Sequence, residues 1–537
     1  MRWWGWGEDA RAPRLPAAAD TLLREQLGAE PGNRPVPLEQ VRLPEPALPA
    51  RARERLEAAV GREQLRDDRE TRVVHAAGRS YADLVRLRSG DASNAPDAAV
   101  YPRSPSEVAE VLAACSECRV AVIPFGGGTS VVGGVEPLRE GLEAAVSLDL
   151  GRLDRPLEID RVSLTARIPA GLRGPAVEQA LARQGLTLGH FPQSFEYSSV
   201  GGWLATRSAG QASSGYGRID ELVEGLRCTA PVGELTVQAF PASAAGPSLR
   251  ELVLGSEGVL GVITEATLRV RPRPQERRYE GWSFRSFEEG LETLRAVVQA
   301  DASPDVARLS DREETRLSMA VAGSGGAKRS LGETYLRLRG HAEGCLAVIG
   351  FEGEAEEVAR RRLRTAALIR AGGGIPLGRS PGQAWARGRY AGPYLRDELL
   401  DRGLLVETLE TASHWGGLQS LYEQVARALV TSLEQRGTPA RVLCHVSHLY
   451  RSGASLYFTV LASQERGAEL EQWEAAKQAA SQAIADAGGT ITHHHAVGRD
   501  HRPWLRGEVG ELGLELIRSA KQRLDPAGVM NPGKLLP

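Results

Sequence analysis

The sequence predicts an α+β fold in two parts, and three observations carry that prediction. From about Ala98 a strand, a helix, a second strand and a glycine-rich loop follow in quick succession. From about Gln275 to Arg502, amphipathic helices alternate with strands in a repeated two-strand, two-helix texture, that of a split α/β cap. Between these blocks, Arg271-Pro272-Arg273-Pro274 reads as a linker. The chain has 537 residues, enough for about two to four domains with sizeable cores.

Residues 1–95 form an Arg- and Pro-rich arm with one predicted helix, Ala50 to Leu65. Its clustered Trp3, Trp4 and Trp6 are expected to dock the arm on the body or on a second subunit rather than to bind ligand. Residues 96–274 form the first block. Val100 to Pro102 is strand-like, and Ser104 to Cys118 is helical with Ser104 or Ser106 as its cap before Glu107. Val120 to Ile123, Ala144 to Leu150 and Ser163 to Ala170 read as strands, and Pro175 to Gln184 as a helix. In the second block, 275–505, helices are predicted at Ser286 to Ala300, Glu354 to Ala371, Gly416 to Gln435 and Gly467 to Ala487. Strands are predicted at Arg441 to Val446 and Ser455 to Leu461. Residues 506–537 read as a helix and a turn-rich tail.

Composition narrows the function. A net charge of −2 gives no electrostatic reason to expect nucleic acid. Five cysteines argue against a disulfide framework, and the lone Cys115-x-x-Cys118 lacks the second pair a zinc site wants. No apolar run is long enough to span a bilayer, and the N-terminus has no apolar signal core. A cytoplasmic setting is the expectation.

The stretch Pro124 to Gly134, PFGGGTSVVGG, carries the chemistry. Gly126, Gly127 and Gly128 remove every Cβ, and Thr129 and Ser130 add hydroxyls. Bare amides with hydroxyls suit a pyrophosphate. No Lys-Ser or Lys-Thr follows, so the loop is not a P-loop, and the Rossmann spacing is missing. A diphosphate cofactor in another geometry remains, with FAD the leading choice. Two further polar-glycine segments, 189–220 and 255–270, keep apolar anchors and suit a large planar ligand.

Together these three segments resemble the flavin-binding domain of the vanillyl-alcohol oxidase (PCMH-type) superfamily. Within it the chain is similar, nearly end to end, to the alkyldihydroxyacetonephosphate synthase family. RWWGWGED, TSVVGG, EYSSVGGWLATRSAG, YLRDELL, SLYF and THHHAVG carry the likeness. The resemblance implies a two-part flavin domain, a cap, and a C-terminal segment returning to the flavin domain. It implies non-covalent FAD held by Pro124, Phe125, Gly126, Gly127, Gly128, Thr129 and Ser130 at the diphosphate. It adds Gln193, Ser194, Phe195, Glu196, Tyr197, Ser198 and Ser199, then Thr206, Arg207, Ser208 and Ala209. A last set is Glu257, Gly258, Val259, Leu260, Gly261, Val262 and Ile263. It further implies Tyr457 as the acid/base, Arg396 as the substrate's phosphate anchor, and His493, His494, His495 and Arg308 as residues needed for activity.

The implied reaction exchanges the acyl group of acyl-dihydroxyacetone phosphate for a long-chain fatty alcohol, with the flavin as electron sink. A bacterial homodimer with peripheral membrane contact, on the inner face, is expected. Cationic neighbours would have to lower the Tyr457 phenol from its ordinary ~10 for it to act as a base. Read as a strand, His493 to His495 alternate faces, so one tridentate metal site is not expected, and no metal is expected at all. The alternative on the same scaffold is a flavin-dependent 2-hydroxy-acid dehydrogenase or oxidase of the D-lactate or glycolate type. Its relatives carry a strand motif resembling G-D-G-N-x-H with a metal-binding His. Here that stretch reads Ser452 to Tyr457, with neither the Asn nor the His.

Overall fold

A computed structural model describes residues 1–12, 15–321 and 327–537. The first block holds two larger sheets, besides a two-stranded pairing of Leu186–Thr187 with Arg271–Pro272 that takes up part of the stretch expected to be a linker. One has four strands in the order Leu65–Arg66, Ala98–Val100, Ala144–Asp149 and Val120–Phe125, the last three parallel. The other is antiparallel, in the order Glu158–Asp160, Thr165–Pro169, Val262–Arg269, Val223–Ala230 and Gly233–Val237. Parallel strands are buried on both faces and read as continuous apolar runs. Val120, Ala121, Val122 and Ile123 accordingly have no exposed surface. The helix Pro105–Cys118 covers them, and the Ser104 side chain caps it by accepting the Glu107 N–H at 3.2 Å. Cys115 is buried on that helix, and all five cysteines are free thiols.

The cap is a seven-stranded antiparallel sheet. Its order is Ile375–Gly378, Glu276–Phe284, Cys345–Gly353, Val306–Ser310, Ala440–Leu449, Gly453–Ser463 and Leu404–His414. Helices Phe287–Gln299, Ala355–Ala371, Trp415–Glu434 and Glu469–Asp486 cover one face. Period-2 alternation decides which side chains meet them. Leu456, Phe458 and Val460 join the helix-side core, while Tyr457, Thr459 and Leu461 face a cavity on the other side.

Three differences from the sequence reading have plain causes. The helix predicted to Leu65 is Ala50–Val60, because Gly61 at φ 85° ends it and Leu65 pairs with Val100 as a strand. The arm carries further helices, Ala17–Leu27, Arg69–Val74 and Tyr81–Arg88. His493 to His495 are irregular backbone, not strand. The tail crosses back to the first sheet: Val122 donates to the Val529 carbonyl and accepts from the Asn531 N–H, each at 2.8 Å.

Candidate active site

A cavity of about 1430 Å³ lies between the glycine-rich segments and the open face of the cap sheet. Its two ends are built differently.

One end is backbone. Pro124 to Ser130, Gln193, Ser194, Ser198, Ser199, Thr206, Ser208, Ala209, Glu257, Gly258, Gly261, Val262 and Ile263 line it. Among the described residues, no amide of Gly126 to Ser130 donates to a protein acceptor. Unpaired amides beside polar hydroxyls are what a diphosphate requires, so the site fits the expected cofactor. The glycines have a cause other than the one read from the sequence. A Cβ on Gly127 would meet the Tyr197 carbonyl at 2.0 Å, and one on Gly126 the Ser199 Oγ at 2.2 Å. Their bareness lets the loop lie against the Tyr197–Ser199 backbone, and its other side stays open to ligand.

Seven expected site residues do not line this cavity. Phe195 stacks on Tyr390 at 5.5 Å, and Glu196 pairs with Arg11 at 2.8 Å. Tyr197 sits edge-on to Trp6 at 5.6 Å. Arg207 pairs with Glu251 and Asp220 and donates to the Leu254 carbonyl, which makes it structural. Val259 and Leu260 pack with Val497 and Leu514. His493 is turned to Tyr450, whose hydroxyl lies 2.5 Å from its Nε2.

The other end is side chains on sheet. Tyr457 lies on Gly453–Ser463 directly opposite His445 on one neighbouring strand and Glu410 on the other. Its ring stacks on His445 at 4.9 Å. Arg308 Nη1 lies 3.0 Å from His445 Nε2, and Arg308 Nη2 donates to Glu314 Oε1 at 2.7 Å. A guanidinium only donates, so His445 Nε2 accepts and its Nδ1–H points at Glu314 Oε1, 3.0 Å away. That fixes the His445 tautomer. The Arg308 charge is therefore spent on Glu314 and His445.

Glu410 organises the histidine loop. Its carboxylate accepts the N–H groups of His493, His494 (3.0 Å) and His495 (2.7 Å) and the Thr492 hydroxyl (2.6 Å). Burial opposes its ionisation, but the three histidine N–H groups and the Thr492 hydroxyl that donate to it favour the carboxylate and hold the carboxyl well below its ordinary range. Burial lowers the imidazoles in turn, His495 to about 3, so they are neutral near pH 7. Neutral rings supply no cationic field. Burial pushes the Tyr457 phenol up, against the pull of Thr408, Arg308 and Arg396. The expectation of a lowered phenol is corrected: the resting residue is a protonated phenol.

The histidines also need a new argument about metal. Ring nitrogens of His448, His493 and His494 lie within 4.8 Å of one another and could hold an ion. Most of these nitrogens already have partners. His448 Nδ1 lies 2.6 Å from Ser213 Oγ, and His493 Nδ1 lies 2.9 Å from His494 Nδ1. An ion bound through those nitrogens would have to break those contacts.

Arg396 lines the cavity, mostly enclosed, on the helix Gly392–Leu400. Its Nη1 donates to the Arg79 carbonyl, while Nε and Nη2 have no acceptor among the described residues. Beyond the charged groups, Leu317, Met319, Leu336, Leu346, Leu377 and Trp385 give the cavity an apolar reach.

Sequence reasoning missed His445, Glu314, Glu410, His448 and Trp6. The alternation of the cap strands flags the two neighbours of Tyr457 only once the strand register is known.

The family described as FAD binding domain matches residues 96–238. That described as FAD linked oxidases, C-terminal domain, matches 273–535. An alkyldihydroxyacetonephosphate synthase of Dictyostelium discoideum is 36% identical, over 88% of this chain and 79% of its own length. The chain belongs to the alkyldihydroxyacetonephosphate synthase family. Its Trypanosoma brucei brucei relative is 34% identical, covering 92% and 82%. A solved alkyldihydroxyacetonephosphate synthase structure superposes with a TM-score of 0.86 at 32% identity, covering 99% of this chain and 98% of that one. The cofactor is FAD. A glycolate oxidase subunit of Bacillus subtilis is 25% identical, which makes the hydroxy-acid enzymes distant relatives. The synthases matched here are eukaryotic and give no support to a bacterial source.

Proposed function

We propose that this chain performs its family's exchange, replacing the acyl group of acyl-dihydroxyacetone phosphate with a long-chain fatty alcohol, and that Tyr457, His494 and His495 move the protons. One observation carries the reading. Arg396, with two unpaired donors, shares a cavity with Tyr457, the free amides of the glycine loop and an apolar extension. In the reaction the substrate's C1–O ester bond breaks, a carboxylate leaves, and a C–O ether bond forms without net oxidation. Bound FAD supplies an electron-accepting ring for the reacting carbon.

This chain's own groups supply the rest. The Arg396 fork gives the phosphate its planar donors. A protonated Tyr457 is a donor toward the departing carboxylate and, once ionised, an acceptor for the alcohol's proton. The neutral His494 and His495 on the cavity wall are the acceptors available for the C1 proton, and Glu410 offsets the charge they then carry. Arg308 holds His445 in the tautomer that stacks on Tyr457.

FAD is bound without a covalent link in this reading. The protein works in the cytoplasm, peripherally at the membrane's inner face. Exposed Leu338, which follows the lining residues Leu336 and Arg337 in the chain, supports lipid contact beside the cavity. No helix among the described residues is long and apolar enough to cross a membrane. A homodimer completes the reading, supported by the exposed Leu512 and Leu516, one turn apart on the helix that follows the kink at Gly510. The test is incubation of purified protein with palmitoyl-dihydroxyacetone phosphate and labelled hexadecanol. Labelled ether and free palmitate should appear one for one. No ether, together with anaerobic bleaching of the flavin by D-lactate, would replace this reading with the dehydrogenase.

A further inference from the structure

The N-terminal arm enters the site beside Arg396. Trp6 is buried and lines the cavity. The Trp6 N–H and Arg2 Nη2 both donate to Asp397 Oδ2, at 2.5 and 2.8 Å. Asp397 is the residue next to Arg396, and its Oδ1 lies 4.0 Å from Arg396 Nε. The arm reaches Arg396 by a second route. The buried Arg79 guanidinium donates to the carbonyls of Gly5 (3.1 Å) and Arg2 (2.9 Å). The Arg79 carbonyl in turn accepts from Arg396 Nη1, and the Arg79 N–H donates to Ser130 of the diphosphate loop at 2.6 Å. The approach is too close for any side chain. A Cβ on Gly5 would meet Asp397 Oδ2 at 2.5 Å, and one on Gly7, at φ +61°, would meet the Tyr394 hydroxyl at 2.1 Å.

We infer that residues 1–7 are a latch for the substrate's anionic group: they fix Asp397 and Arg79 and thereby position Arg396, with Arg2 as the positioning residue. The inference rests on the reading of Arg396 as the phosphate anchor. Two cationic side chains meet here, the buried Arg79 and the mostly enclosed Arg396, with Asp397 as a nearby countercharge. The geometry of such groups is set by the hydrogen bonds around them. Without Arg2, Asp397 loses one of the two donors to its Oδ2, and the fork is free to swing onto it. That would consume the donors the phosphate needs.

The holoenzyme tests this with dihydroxyacetone phosphate as the probe, followed by flavin fluorescence, and with steady-state kinetics. Arg2→Ala is expected to weaken dihydroxyacetone phosphate binding roughly ten- to a hundredfold, the range for a charge-assisted hydrogen bond. It should raise the KM for palmitoyl-dihydroxyacetone phosphate in parallel and leave the KM for hexadecanol and the flavin content unchanged. Arg2→Lys should recover most of the loss. Gly7→Val should reproduce the defect. Should that variant not fold, Arg2→Ala, which leaves the backbone intact, decides alone. Arg396→Ala separates the two layers. If it loses the probe while Arg2→Ala binds normally, the latch is wrong and the anchor stands. If Arg396→Ala also binds normally, the anchor itself is wrong and the latch falls with it.

Discussion

The two ends of the cavity are opposite solutions to holding a ligand. The flavin end is made largely of backbone: bare glycines, free amides, and small hydroxyl side chains beside them. The cap end is made of side chains held in cross-strand register, with Glu410, Tyr457 and His445 on three adjacent strands. A backbone site is encoded locally and is intolerant of any added atom. A side-chain site is encoded by register and tolerates small changes in shape but not in chemistry.

The sharpest test of that contrast is Gly127→Leu. A Cβ 2.0 Å from the Tyr197 carbonyl cannot be accommodated by a side-chain rotation, so the loop must move. FAD retention and all activity should be lost. A variant purifying with its full flavin absorbance would show that the loop's backbone is not the clamp. At the cap end, Tyr457→Phe removes one hydroxyl and keeps the ring stacked on His445. FAD and fold should persist while turnover falls on the order of 10²–10⁴-fold. Near-normal ether synthesis would remove Tyr457 from the chemistry.

A smaller effect concerns pH. Burial lowers His494 and His495 below their ordinary value, and raises Tyr457 above its own. The neutral imidazoles therefore survive acidification through ~6.5, and the phenol survives alkalinisation through ~10. The profile of kcat/KM should be flat between these values. An inflection near 6.5 that disappears in His494→Gln would show that this imidazole titrates as if in water. The smallest expected effect is none: chelation with EDTA should leave activity intact, since His448, His493 and His494 already spend most of their nitrogens on one another and on Ser213 and Tyr450. Loss of activity restored by zinc would make them ligands.

The same contrast explains what could be read beforehand. The glycine loop, the Ser104 cap and the cap helices were legible because each depends on residues within a few positions of one another. Phe195, Tyr197 and Arg207 face away from the cavity because a turn-rich segment that lines it sends some side chains inward and others outward, and composition does not say which. Glu410 lies far from Tyr457 in sequence, and only strand pairing makes them neighbours. His493 to His495 were taken for a strand because nothing local announces a buried carboxylate gathering three consecutive amides.

The tail carries a consequence for how the flavin wall is held together. Asn531 donates through Nδ2 to the carbonyls of Glu257 (2.7 Å) and Gly134 (3.2 Å), and its backbone closes against Val122. Both tethered segments belong to the flavin wall, yet the residue that joins them is synthesised almost four hundred positions after the glycine loop. Until Asn531 is in place, that wall lacks one of its fastenings, so two stretches of the cofactor's cradle are joined by a residue remote from both in sequence.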